Sequence, residues 1–93
     1  MKLSEYLDRI DKLADKYEDN NILRNLGWLD FSVRMFSEGV KRRDYGHAFI
    51  YADDIGRNCS ALRLEKPGLS REDWAKICGE DLIKFLLDAG KSY

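Results

Sequence analysis

Histidine and proline occur once each and cysteine twice among 93 residues, and each scarcity removes a class of chemistry. One histidine cannot supply the paired imidazoles of a helical zinc or di-metal centre. Cys59 and Cys78 lie far apart and outside any Cys-x-x-Cys pair, so no zinc-ribbon or redox motif is present. Two reduced, buried thiols are the expectation. Charge of one sign is also lacking, with 16 basic side chains against 17 acidic ones. A nucleic-acid binder gains most of its affinity from a basic excess, so nucleic acid is not expected as a partner. Long apolar runs are missing as well. Nothing approaches a bilayer span, and Met1-Lys2-Leu3-Ser4-Glu5 leads into no signal-peptide core. No membrane association is expected, and a cytoplasmic setting is the default. The glycines form no phosphate-binding loop and no GxSxG turn, and no cofactor is implied.

What remains is helical. Apolar residues make up 44% and charged residues 35%, the mix of a well-solvated folded chain. The pattern predicts one all-α domain over residues 1–93, a small antiparallel bundle of about four helices. The first helix runs from about Leu3 to Asp19, with Leu3, Tyr6, Leu7, Ile10, Leu13, Ala14 and Tyr17 in one arc. Asn20-Asn21 should stop it. The second runs from about Asn21 to Glu38, with Ile22, Leu26, Leu29, Val33 and Phe36 as its core seam and Gly39 as its stop. The third is capped by Asp44 and reaches about Leu64. Tyr45, Ala48, Phe49, Ala52, Ile55, Cys59 and Leu62 should share its buried face. A ladder of small residues, Ala48, Ala52, Gly56 and Ser60, should let a neighbour approach closely. After the turn at Lys66-Pro67-Gly68, a fourth helix from about Arg71 to Ala89 should run continuously through Gly79.

Catalytic constellations are sparse. Asp53 and Asp54 are adjacent on a helix, so their side chains diverge. Ser32, Ser37 and Ser60 have no histidine at helical spacing to act as a base. Two short stretches resemble known motifs. Arg42-Arg43-Asp44-Tyr45-Gly46-His47 is similar to the Arg-x4-His motif of the HEPN ribonucleases, small helical bundles in which an arginine and a histidine act on an RNA phosphate. In that family the motif lies late in the domain; here it opens the third helix. Leu69 to Gly79 resembles the first half of a helix-turn-helix, but Leu82-Ile83-Lys84-Phe85-Leu86-Leu87 follows where a polar recognition helix should stand.

The remaining signal is surface. Trp28, Phe31 and Met35 form a second stripe on helix two, away from its core seam, flanked by Arg24 and Arg34. Ile83 and Leu87 fall outside the main face of helix four. Trp, Met and Arg are enriched where proteins meet. The expected function is therefore a non-enzymatic protein-interaction module, without metal or catalytic residues. It would act as a stoichiometric regulator or inhibitor, of the kind phages and mobile elements encode. Trp28, Phe31, Met35, Arg24 and Arg34 would meet another protein or a second copy of the chain, with Ile83 and Leu87 as a second interface. The alternative is a HEPN-like RNA-cleaving, or nucleotide- or nucleic-acid-binding, helical domain that uses the Arg42-x4-His47 segment.

Overall fold

Helix boundaries are set by where the unpaired backbone groups at each end find partners. The computed structural model describes residues 1–91. Its helices are α1 (Leu3–Lys16), α2 (Asn20–Lys41), α3 (Tyr45–Leu64), α4 (Arg71–Cys78) and α5 (Glu80–Lys91). No strand occurs among the described residues, so the chain is all-α, as expected. Asp19 does not belong to the first helix: its carboxylate accepts from the backbone N–H of Asn21 and Ile22 at 2.9 and 3.1 Å and opens α2. An aspartate that can cap outcompetes asparagine as a boundary, so Asn20 and Asn21 start α2 rather than end α1.

Gly39 is not a stop either. α2 continues to Lys41, and the reversal is made by Arg43, whose φ of 59° is left-handed. Around it the N–H of Arg43 donates to the Val40 carbonyl at 3.1 Å and the N–H of Asp44 to the Gly39 carbonyl at 2.9 Å. This is the paired bonding of a Schellman cap, with arginine where glycine is usual. Gly39 serves packing instead. A Cβ there would sit 2.9 Å from the Ala48 nitrogen, so its absence lets α2 and α3 meet closely. The two helices run antiparallel and form the most extensive pairing in the molecule. Ser32 accepts from Asn58 near their middle at 3.1 Å, and Asn21 and Asn25 both donate to Glu65 at the far end.

The small-residue ladder faces α2 only at its start. Ala48 is buried and Ala52 half-buried, but Gly56 and Ser60 are exposed, and nothing lies within 4 Å of where a Gly56 Cβ would stand. Each step of four residues advances about 40° beyond a full turn, so three steps carry the ladder out of the core. The buried stripe alternates steps instead, through Ile55, Cys59 and Leu62. Tyr45 and Phe49 leave the core face on the same side as the ladder, and Phe49 is 78% exposed. Gly56 is thus a helix-interior glycine with free space around it. Gly56→Ala should raise unfolding stability by about 0.5–1 kcal/mol, read by chemical denaturation. A loss of stability would place the position against a neighbour after all.

The fourth helix is broken. Gly79 takes an extended conformation, φ −91° and ψ −152°, and a Cβ there would lie 2.6 Å from the Ala75 carbonyl oxygen. The break is stabilised from α1. The Tyr6 hydroxyl donates to the Ile77 carbonyl at 2.6 Å, and Arg9 donates to the Lys76 carbonyl at 3.0 Å and to Asp81 at 2.9 Å. Two carbonyls left open at the end of α4 are thereby paired by side chains. Tyr6 is fully buried, its ring stacked on Phe85 at 6.0 Å, and burial pushes its phenol well above the ordinary range. It therefore stays a donor. The break also frees α4 to turn Ile77 fully inward beside Cys78. One cluster of buried side chains from α1 through α5 fills the centre.

Candidate functional site

The seam Ile22, Leu26, Leu29, Val33 and Phe36 lies buried, which commits one side of α2 to the core. Residues at 28, 31 and 35 then point to the flank of α2 beside α3. Trp28 is 56% exposed and Phe31 45% exposed; Met35 is half-buried. The stripe is therefore not interior packing. Trp28 and Phe31 form one wall of a groove of about 420 Å³, with Ser32 from α2 and Tyr51, Asp54, Arg57 and Asn58 from α3; Met35 does not line it.

The aromatic rings hold one another. Phe31 meets Trp28 edge-on at 6.4 Å and Tyr51 edge-on at 5.9 Å, with interplanar angles of 85° and 74°. Tyr51 in turn lies 4.8 Å from the His47 ring. A continuous aromatic row thus crosses from α2 to α3. Edge-to-face contacts of this kind fix ring orientation and add about 0.5–1.5 kcal/mol per buried pair. Arg57 is drawn to Asp53 at 3.1 Å, while Asp54 has no ion-pair partner among the described residues. The wall residues from α3 were not legible beforehand, because they depend on helix register. Their trace in the sequence is the spacing of Tyr51, Asp54 and Asn58 at i, i+3 and i+7, beside the core stripe of α3.

The other expected site residues fall outside the groove. Arg24 is exposed in the N-terminal part of α2, and Arg34 is paired with Asp30 at 2.6 Å on another side of α2. Ile83 and Leu87 are both exposed on α5, one turn apart. Arg42 is paired with Glu38 at 3.2 Å. His47 is half-buried, and its Nε2 is enclosed without a hydrogen-bond partner, close to Gly39. A nitrogen so enclosed cannot reach a phosphate without rearrangement of the α2–α3 turn. The fold also brings the two cysteines together: a hydrogen bond with Cys59, then burial, pushes the Cys78 thiol well above its ordinary range.

Sequence reading missed one polar centre. Asp73 is buried, yet its carboxylate accepts from Lys16 at 2.7 Å, from Tyr17 at 2.6 Å and from Lys76 at 3.2 Å. Its backbone N–H donates to the capping Ser70 hydroxyl at 3.2 Å. The hydrogen bond from Lys16, followed by that from Tyr17, holds this carboxyl well below the usual range, against the opposing effect of burial. The network ties the end of α1 to the first turn of α4, and nothing in it opens into the aromatic groove. No helix among the described residues is long and apolar enough to cross a membrane. No protein family matches the sequence, and no curated protein or solved structure matches it significantly.

Proposed function

We propose that this chain is a protein-interaction module that docks on another protein through the α2–α3 groove and acts stoichiometrically, as a regulator or inhibitor, rather than by turnover. The observation that carries this reading is the exposure of Trp28 and Phe31 side by side at the wall of an open groove. Leaving two large rings in water forgoes about 25 cal/mol per Å² of apolar area that a partner would cover. Rings already held edge-to-face, Trp28 by Phe31 and Phe31 by Tyr51, also lose little freedom on docking, which favours affinity. The enclosed Nε2 of His47 gives no support to the ribonuclease-like alternative.

Affinity capture from the native host, run in parallel with the wild-type chain and Trp28→Ala, tests the proposal. A partner retained by the wild type and lost from the variant is expected. Partners held equally by both would sink it. Sedimentation of the pure protein separates docking on a different protein from self-association.

A further inference from the structure

Where α3 ends and α4 begins, the chain forms a second cavity of about 400 Å³, open to solvent and lined by Arg63, Leu69, Arg71, Trp74 and Ala75. None of these residues lines the α2–α3 groove. Its floor is rigid. The Trp74 indole N–H donates to the Cys59 carbonyl at 2.9 Å, which fixes the ring, and the Arg63 guanidinium lies over the ring, 5.3 Å from its centroid. Arg71 approaches from the first position of α4.

The electrostatics are one-sided. Glu65 is taken up by Asn21 and Asn25, and Asp73 by Lys16, Tyr17 and Lys76. Glu72 is exposed, and as the neighbour of Arg71 on the helix it projects about 100° away. Neither Arg63 nor Arg71 has an ion-pair partner among the described residues. Two arginines thus line a cavity whose other walls, Leu69, Trp74 and Ala75, are largely apolar, and no carboxylate lines it.

We infer that this cavity is a binding site for a small aromatic oxyanion, a phosphate or carboxylate held by Arg63 and Arg71 with its ring against the wall that Leu69, Trp74 and Ala75 form. Planar guanidinium forks match oxyanions through paired charge-assisted hydrogen bonds, and the apolar wall accommodates the ring. The site stands independently of the docking proposal, since it shares no residue with that groove.

The test follows the Trp74 indole N–H resonance by two-dimensional NMR, assigned by its persistence in Trp28→Phe. The pure protein is titrated with phenyl phosphate, benzoate and, as the neutral control, benzyl alcohol. A saturable shift with either anion, and none of comparable size with benzyl alcohol, is the expected result; the tighter anion identifies the oxyanion class. The double variant Arg63→Gln, Arg71→Gln should weaken anion binding about tenfold or more, with circular dichroism unchanged. Equal binding of benzyl alcohol, absence of any shift, or undiminished binding by the double variant would each overturn the assignment.

Discussion

Asp73→Ala should lower unfolding stability by about 2–3 kcal/mol, and the melting temperature by about 10–20 °C for a chain of this size. The carboxylate ties α1 to α4 through Lys16 and Tyr17, and binds Lys76 within α4. Removing it does not strand two buried cations, because Lys16 and Lys76 are about three-fifths exposed and can turn to water. The cost falls instead on the lost cross-helix tie, the Tyr17 hydroxyl left without its acceptor, and the void beside the Ser70 cap. That is why the figure stays below the 3–5 kcal/mol typical of a fully buried pair. Its pH dependence has a definite sign. The folded pKa lies below the unfolded one, so the stabilisation is complete above the ordinary carboxylate value of about 4 and is lost as pH falls through it towards the folded value. Wild-type stability should therefore decline on acidification below about pH 5, and Asp73→Asn should show a shallower decline. Parallel pH profiles for the two proteins would mean that another carboxylate governs acid unfolding.

The parts of this fold that were legible in the sequence are those governed by one helix at a time. The seam of α2 from Ile22 to Phe36 was readable because alternating steps of four and three keep residues on one side of a single cylinder. The small-residue ladder misled for the same geometric reason: a strict step of four drifts, so Gly56 and Ser60 end in solvent. The break at Gly79 was not readable, since glycine is tolerated within helices and the open carbonyls here accept hydrogen bonds from Tyr6 and Arg9, some seventy residues away. Asp73 bonds the Ser70 hydroxyl through its backbone, a contact local to one helix start, but its burial depends on where α1 ends. The same division applies to the candidate site. Trp28 and Phe31 could be placed off the core seam from helical angles alone, whereas Tyr51, Asp54 and Asn58 join them only through the close α2–α3 approach at Gly39.

Trp28→Ala should weaken docking by about 2 kcal/mol, roughly thirtyfold in affinity, while leaving the fold nearly intact. The two halves of this expectation come from the same geometry. More than half of the Trp28 surface is open, so truncation removes little from the core and should change unfolding stability by less than about 1 kcal/mol. What it does remove is the largest ring at the groove wall and the edge-on neighbour that orients Phe31. Phe31→Ala should weaken docking by a similar amount but also cost some stability, because Phe31 contacts Tyr51 across the helix pair. Arg24→Ala, a change to an exposed charge outside the groove, should alter mainly the salt dependence of association. Titration calorimetry on the captured partner, or sedimentation if the partner is a second copy, reads the first quantity, and thermal unfolding reads the second. Docking unchanged in Trp28→Ala would move the interface elsewhere, with Ile83 and Leu87 on α5 a second exposed apolar pair to test. A collapse of helical content in the same variant would show instead that the ring supports the α2–α3 pairing from outside.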